Sequence, residues 1–441
     1  MGKKKMFTFL GTGRYAPATY EYNNQSLKET KYIQLAVYEL LEKWYGFTED
    51  DEVYIILTPE AKGMHWESDN ESDSESNLKT SFSRINPKAA IHTIEIENEV
   101  DEILDWNLFH HIIENINEGD LIYFDVTHGF RSFPLIAINA VNYAQTLYEG
   151  VTLESIFYGK YTFNAEVHPI VDLTTMAKLS DWSFAVQTYL DTGDADKLFE
   201  LSMNEFIITG DHRKNSNQQA IAVRKLSGSL VSLSNSVRTS RNEEILKSID
   251  TLSRALEELK DKILFSVPTF MHPISELFPV IEERLLNYKD YSKNETKNFF
   301  IINNIVKYYC LEHGLIQQGF TLLLENFISY CCFLCNRDYL NIDDREEVKI
   351  YLNILSNRGE TKKVSSDEID NEIIDVLDTH ISEDLSKEYY NLNKYRNDIN
   401  HAAFNDSPMK SGKFKDKLMI AEQIVRNFMT DGEKLSMKHI D

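Results

Sequence analysis

The first 178 residues alternate between short apolar stretches typical of strands and longer stretches with helical spacing. The strand-like stretches are MFTFL, VYIIL, AIHTIEI, LIYFDV and LESIFYG. The helical stretches are SLKETKYIQLAVYELLEKW, VDEILDWNLFHHIIENI and the run after Pro134. Because strands that alternate with helices pair side by side, this pattern predicts a mainly parallel sheet covered by helices over residues 1–178.

After residue 178 the strand signals fade, and helical spacing continues almost to the end of the chain. We therefore expect an all-α second half, with the seam near 172–181. Residues 179–300 are interpreted as a helical connector or an inserted domain, and residues 301–441 as a separate helical domain. Three polar stretches, 66–77, 209–218 and 357–368, predict surface loops because they carry too few apolar residues to enter a core.

The net charge excludes a protein that coats nucleic acid nonspecifically. The chain has 46 basic and 70 acidic residues, a formal charge of −24, whereas phosphate neutralisation needs clustered cations. No apolar run reaches the ~18 residues of a membrane span, and the apolar stretch at the start is too short for a signal peptide. We expect a cytoplasmic protein without a membrane anchor.

The four cysteines are Cys310, Cys331, Cys332 and Cys335. No second pair of ligands follows them at zinc-site spacing, so core thiols in a reducing compartment are the favoured interpretation. Nothing marks any group of carboxylates as a metal site either. The sequence thus predicts no metal.

Two glycine-bearing turns follow strands in the first half. Gly11, Thr12 and Gly13 come after MFTFL, and the segment DVTHGFRS ends the strand LIYFDV. Ligands of open α/β sheets bind at the carboxyl ends of the strands, and a glycine turn before a helix offers N–H groups to an anion such as a phosphate. The alternative is a simple strand-to-helix turn, which two such turns in one sheet make less attractive.

The first turn also fits a loose dinucleotide fingerprint, because Ala16 follows Gly11 and Gly13 at the right spacing. A nicotinamide-dependent oxidoreductase is nevertheless disfavoured. Pro17 and the polar stretch TYEYNNQS delay the helix that should start at those glycines. The next strand ends in Leu57, Thr58 and Pro59 rather than in the expected acidic residue.

A second candidate site lies late in the helical half, in YRNDINHAAF. A metal-free ribonuclease needs an acid and a base, which histidine supplies near neutral pH, and a cation for the phosphate, which arginine supplies. Arg396 and His401 point about 140° apart on an ideal helix, so two copies across a two-fold axis would form one cleft. The alternative is an exposed helix end with a solvated arginine and histidine.

DVTHGFRS resembles the D-x-T-H-G signature of CRISPR-associated proteins from type III systems. These proteins carry an N-terminal Rossmann-like CARF sensor domain and a C-terminal HEPN domain, and RNDINH resembles the HEPN R-x4-H motif. The resemblance implies a CARF-like domain over 1–178 and a HEPN-like nuclease domain over 301–441. The ligand-binding residues it implies are Gly11, Thr12, Gly13, Thr127, His128, Gly129, Phe130 and Arg131. The catalytic residues it implies are Arg396, Asn397 and His401.

The same resemblance implies a homodimer, or a higher oligomer, without a cofactor. Its activator would be a cyclic oligoadenylate, with cyclic tetra-adenylate favoured over cyclic hexa-adenylate, and its substrate single-stranded RNA. Cleavage would proceed by 2′-OH attack without a metal. The alternative is a non-enzymatic cyclic-oligoadenylate sensor whose HEPN domain only dimerises. Glu325 either pairs with Arg396 or faces solvent.

Overall fold

The computed structural model describes residues 2–67, 77–97, 102–129, 132–210, 218–263, 279–280, 282–283, 297–356, 369–404 and 407–437. The chain divides into two compact units, Met1–Ser180 and Asp181–Asp441. The first unit contains an α/β sheet and the second is mostly helical, which confirms the predicted fold class. The division predicted at residue 300, between a connector and a final helical domain, stays a prediction.

The first unit is built on an eight-stranded sheet. Its strands are β1 (Lys4–Leu10), β2 (Thr19–Tyr22), β3 (Gln25–Ser26), β4 (Glu52–Leu57), β5 (Ala90–Glu95), β6 (Leu121–Asp125), β7 (Thr152–Gly159) and β8 (Val167–Asp172). They lie in the order β3-β2-β8-β7-β6-β1-β4-β5. Strands β5, β4, β1, β6 and β7 run parallel, and β8 lies antiparallel to β7.

The strand order reverses between β1 and β6. From β1 the chain proceeds to β4 and β5 on one side, and then returns to β6 and β7 on the other. Such a topological switch leaves a crevice at the carboxyl ends of the two strands where ligands bind in open α/β sheets. Both glycine-bearing turns follow these two strands, so the topology positions them together.

The helices of this unit cover both faces of the sheet. They are α1 (Ile33–Trp44), α2 (Pro59–Ala61), α3 (Leu78–Ile85), α4 (Glu102–Glu114), α5 (Phe133–Leu147) and α6 (Thr174–Thr192). Apolar residues of α1 and α3 pack on one face, and those of α4 and α5 pack on the other. The unit boundary at Ser180 falls within α6.

Two parts of the sheet differ from the expectation. The polar stretch TYEYNNQS forms the hairpin β2–β3, whose turn residues Asn23 and Asn24 have φ of 50° and 61°, a conformation that asparagine tolerates. Strand β8 follows β7 as an antiparallel neighbour. Because the hairpin β2–β3 intervenes, helix α1 begins only at Ile33, well after Gly13. A dinucleotide-binding turn would lead directly into its helix, so this late start agrees with the rejection of that interpretation.

The second unit packs around one apolar core. Its helices are α7 (Asp196–Gly210), α8 (Gln218–Arg238), α9 (Asn242–Ile263), α10 (Lys297–Ile305), α11 (Ile316–Leu334), α12 (Ile342–Ser356), α13 (Asn371–His380), α14 (Glu383–Asn400) and α15 (Phe414–Met437). All four cysteines are buried thiols, as predicted. Burial raises the pKa of the Cys332 thiol to about 11.

Most residues of the three predicted surface loops lie outside the described part of the chain, which omits 68–76, 211–217 and 357–368. None of the helices that the structure describes combines the length and the apolar character needed to cross a bilayer.

Candidate functional site

The two glycine-bearing turns contact each other at the crevice between β1 and β6. A Cβ atom placed on Gly11 would lie 3.6 Å from the backbone nitrogen of Gly129 and 3.7 Å from Cβ of His128. Thr12 and Gly13 are exposed beside them. The structure thus brings six of the eight predicted ligand residues to one edge of the sheet: Gly11, Thr12, Gly13, Thr127, His128 and Gly129. The other two, Phe130 and Arg131, lie outside the described residues.

Gly129 occupies a position that only glycine can fill without strain. Its φ is +105°, and an added Cβ would lie 3.0 Å from Cδ2 of Phe133 and 3.1 Å from Cβ of Phe9. The absence of a side chain lets the turn pack onto these two buried rings. Gly13 differs, because a Cβ added there would have nothing within 4 Å.

Thr127 is bonded inside the protein. Its hydroxyl donates to Oδ1 of Asp125 at 2.5 Å and accepts from the backbone N–H of Gly159 at 2.8 Å. The Asp125 carboxylate, which is fully buried, also accepts from the hydroxyl of Thr8 at 2.6 Å. Asp125 and Thr127 therefore tie together the ends of β1, β6 and β7, and the side chain of Thr127 braces the turn.

An aromatic cluster that the sequence did not reveal surrounds the first turn. The Tyr15 ring lies edge-on to His65 and His128, with ring centroids 4.5 and 4.7 Å apart. Its hydroxyl lies 3.0 Å from both the nitrogen and the oxygen of Gly11, and Nε2 of His65 lies 2.8 Å from the carbonyl oxygen of Gly13. The cluster thus holds the Gly11–Gly13 turn from two sides.

Both imidazoles of this cluster have lowered pKa values. Burial is the main cause of the lowered pKa of His128. The nearby Asp125 carboxylate acts to raise this pKa, and His65 acts to lower it further. Burial also lowers the pKa of His65, against the bond to the Gly13 carbonyl, which raises it. Both rings are therefore neutral at pH 7, so His65 can donate Nε2–H to Gly13 while carrying no charge.

Helix α5 begins directly after the second turn. Its N-cap residue, Ser132, makes no side-chain cap, and the buried Ser132 hydroxyl has no hydrogen-bond partner among the described residues. A helix N-terminus carries a partial positive charge and favours an anion. The Ser132 hydroxyl at that terminus adds a donor for such a ligand. The sequence did not predict Ser132, and it is added to the candidate site because of this geometry.

The second candidate site lies at the end of α14. Arg396 is half-buried, and its Nε is buried without a hydrogen-bond partner in the part of the chain that is described. Asn397 is exposed, and its carbonyl oxygen accepts the backbone N–H of His401 at 2.9 Å. No described hydrogen bond joins the side chains of Arg396 and His401.

His401 is exposed at the point where α14 ends. The next two residues, Ala402 and Ala403, have φ of 53° and 63°. Their N–H groups donate to Ile399 and Asp398 at 3.1 and 2.9 Å, which is the hydrogen-bond pattern of a Schellman helix end. The segment after the helix is further fixed because the Asp398 carboxylate accepts the N–H of Met409 at 2.9 Å.

Glu325 pairs with Arg345 and not with Arg396. Its carboxylate lies 2.6 Å from the guanidinium of Arg345, which also donates to the hydroxyl of Ser329 and the carbonyl of Tyr339. The suggested pair with Arg396 is therefore wrong, because Arg345 on α12 is the nearer cation for the face of α11 that carries Glu325.

Comparison with known proteins finds a family match for the N-terminal unit. Residues 5–161 match the family model described as the CARF domain of the CRISPR system endoribonuclease Csx1. The N-terminal unit is a CARF domain. Both glycine-bearing turns of the CARF domain lie within the matched residues, and so do Tyr15, His65 and Ser132.

A relative that matches most of the chain is the CRISPR-associated protein MJ1674 of Methanocaldococcus jannaschii. It is 26% identical over 380 residues, which cover 83% of this chain and 52% of the relative. The chain therefore spans about half the length of the curated relative it matches. With its CARF domain and this relative, the chain is a CRISPR-associated, CARF-containing protein.

Proposed function

We propose that this protein is an RNA endonuclease of type III CRISPR defence that a cyclic oligoadenylate switches on. The observation that carries the nuclease part is Arg396, whose buried Nε lacks a partner among the described residues, in a helix that ends at the exposed His401. A buried guanidinium nitrogen without an acceptor is costly in a resting protein. A phosphate held by Arg396 would supply that acceptor.

The proposed reaction is metal-independent. A base removes the proton of a ribose 2′-OH, the 2′-oxygen attacks phosphorus, and the bond to the 5′-oxygen breaks as an acid protonates it. The products are a 2′,3′-cyclic phosphate and a 5′-hydroxyl. His401 serves as acid or base, Arg396 stabilises the charge that grows on the phosphate, and Asn397 helps to orient the substrate.

The activator binds at the crevice of the CARF domain. Supporting observations are the contact between its two turns, the exposed position of Gly13 and the hydroxyl of Ser132 at the start of α5, which has no partner in the described chain. These groups suit the phosphates of a cyclic oligoadenylate. Cyclic tetra-adenylate is favoured over cyclic hexa-adenylate on the family resemblance.

An exposed apolar face supports a homodimer. Leu135, Tyr143 and Leu147 of α5 and Trp106 of α4 are all at least half exposed, and the Phe109 ring lies 5.5 Å from those of both Trp106 and Tyr143. Apolar patches of this kind mark interaction sites. Because α5 starts at the second turn, a two-fold axis along this face would bring two crevices to the same side, facing one even-numbered ring.

The test is cleavage of a labelled single-stranded RNA with and without cyclic tetra-adenylate, in a chelator. We expect activator-dependent cleavage that leaves 2′,3′-cyclic phosphate ends. Arg396→Ala or His401→Ala should lower the rate by at least ~10²-fold, and Asn397→Ala should lower it less. The matched control Arg254→Ala changes an exposed arginine of α9 and should cut normally.

Three results would contradict the proposal in different ways. A strict need for a divalent metal would refute the mechanism. Binding of cyclic tetra-adenylate by calorimetry, without any cleavage, would leave the non-enzymatic sensor as the function. A stoichiometry of one ring per chain instead of one ring per two chains would refute the shared crevice.

A further inference from the structure

A second cleft lies in the helical unit, and its lining includes none of the residues proposed to cut RNA. It has a volume of about 390 Å³ and is bordered by the start of α9, by α10 and α11, and by the segment Tyr339–Arg345. This volume falls in the range of ligand sites, roughly 300 to 1,000 Å³.

The inner wall of the cleft is apolar and firmly held. Phe299, Ile302 and Leu322 are buried and line it. The Asn326 amide donates to the carbonyl of Phe299 at 2.9 Å and to Oδ1 of Asn303 at 3.0 Å, which fixes α10 against α11. The wall is therefore apolar and fixed before any ligand binds.

One polar atom of the cleft is left without a partner. Oδ1 of Asn242, the first residue of α9, is buried and accepts no hydrogen bond within the described part of the chain. A buried acceptor in this state costs roughly 1–3 kcal/mol. A ligand that brings an N–H donor would remove that cost, whereas a wholly apolar ligand would keep it.

The charges at the cleft favour a neutral ring over a bare anion. The carboxylates of Glu243, Glu244 and Glu325 border it, and Arg345 is already paired with Glu325. Arg241 is exposed at the opening and forms no ion pair with a described residue. A ligand with one phosphate and an uncharged ring can thus place its phosphate beside Arg241 at the opening and its ring inside the cleft.

The cleft adjoins the proposed nuclease segment along one face of α11. Nε2 of Gln317 donates to Oδ1 of Asn400 at 3.1 Å. Thr321 and Glu325, four and eight residues further along, lie on the same face and line the cleft. Four residues of helix rise about 6 Å, roughly the spacing of neighbouring nucleotides in an extended strand.

We infer that this cleft binds a nucleobase with an exocyclic amine, in the RNA strand that passes the nuclease segment. The base stacks on the apolar wall, its amine donates to Oδ1 of Asn242, and the adjoining phosphate meets Arg241. Adenine, cytosine and guanine carry such an amine, and uracil does not. The inference rests on the proposed function for the identity of the polymer, and it assigns Asn242 as a specificity-determining residue.

The test compares the binding of two oligonucleotides to the full-length protein by fluorescence anisotropy. Hexamers of 2′-O-methylcytidine and 2′-O-methyluridine are matched in size and cannot be cut by 2′-OH attack. We expect the cytidine hexamer to bind about fivefold tighter, the size expected of one hydrogen bond. Asn242→Leu should abolish this ratio, and Asn242→Asp, which keeps an acceptor, should retain it.

The matched control is Asn235→Leu, which changes an exposed asparagine of α8 that does not line the cleft; it should leave the ratio unchanged. Thermal unfolding of each variant checks that the fold is intact. Equal affinities for both hexamers, no binding of either, or a ratio that survives Asn242→Leu in a folded variant would each overturn the inference.

This test is independent of catalysis. A cytidine preference that depends on Asn242 in a protein that never cuts RNA would refute the proposed nuclease and keep the cleft assignment. Cleavage that depends on Arg396, without any difference between the hexamers, would refute the cleft assignment alone.

Discussion

At the scale of single residues, several members of the segment DVTHG already stabilise the fold. Asp125 and Thr127 form hydrogen bonds inside the protein, Gly129 supplies a backbone conformation, and the His128 ring packs edge-on against Tyr15. The sequence predicted a ligand site in this segment. It could not show which members are already bonded, because Gly159, the partner of Thr127, lies 32 residues further along the chain.

Thr127→Val should destabilise the protein. Valine keeps the shape of threonine, but it removes one donor to the buried Asp125 carboxylate and the acceptor of the Gly159 N–H. We expect a loss of about 1–3 kcal/mol in the free energy of unfolding, measured by urea denaturation. Thr127→Ser keeps the hydroxyl and is the control. A valine variant as stable as the serine variant would show that the hydroxyl does not brace the turn.

The lowered pKa of His128 predicts a loss of stability in acid. Above the ordinary imidazole pKa of about 6.5, the ring is neutral in both the folded and the unfolded state, so its contribution to stability is complete. As the pH falls, the unfolded state takes up the proton first, and the contribution is lost as the pH passes through the lowered folded pKa. Thermal unfolding of wild type and His128→Phe from pH 8 to 5 measures this, and wild type should lose more stability; parallel curves would contradict it.

At the scale of secondary-structure elements, periodicity predicted the five central strands and the helices that cover them. It missed β2, β3 and β8. The hairpin β2–β3 is short and polar, and β8 contains Pro169 within VHPIVD, so neither shows the apolar pattern of a buried strand. The contacts of Tyr15 with His65 were also invisible, because they join segments 50 residues apart that only the folded sheet brings together.

The two turns should respond differently to a methyl group. Gly129→Ala places Cβ against Phe133 and Phe9 at a φ of +105° and should cost about 1–3 kcal/mol in the free energy of unfolding. Gly13→Ala meets open space and should leave that free energy nearly unchanged while weakening binding of cyclic tetra-adenylate. Thermal unfolding and calorimetry measure the two effects. Equal losses of stability in both variants would show that the turns are not distinguished in this way.

At the scale of the whole molecule, 267 residues separate Gly129 from Arg396 (396 minus 129), and the two lie in different units. Under the proposed function, the activator therefore changes RNA cleavage only by favouring one state of the protein over another. The effect must be reciprocal: a non-cleavable RNA bound at the nuclease segment should tighten the binding of cyclic tetra-adenylate.

A coupling free energy of about 1–3 kcal/mol would change the apparent dissociation constant by about 5- to 150-fold. Calorimetry of cyclic tetra-adenylate with and without a 2′-O-methyl RNA measures it, and the converse titration gives an internal check. If each ligand binds with the same affinity in the presence of the other, the two sites are uncoupled and the switch is refuted.

The ties at the end of the sheet also have a mechanical consequence. The Asp125 carboxylate and the Thr127 hydroxyl join β1, β6 and β7 at their carboxyl ends through Thr8 and Gly159. A pull on any one of these strand ends is therefore shared by all three, which behave as one stiff plate. The π-helical turn Lys62–Trp66, which follows α2, carries His65. Among the described residues, it is linked to the Gly11–Gly13 turn by one hydrogen bond from His65 and by the contact of the His65 ring with Tyr15. This link is weaker than the ties between the strand ends. We therefore expect the crevice to open by movement of His65 away from the ends of β1, β6 and β7.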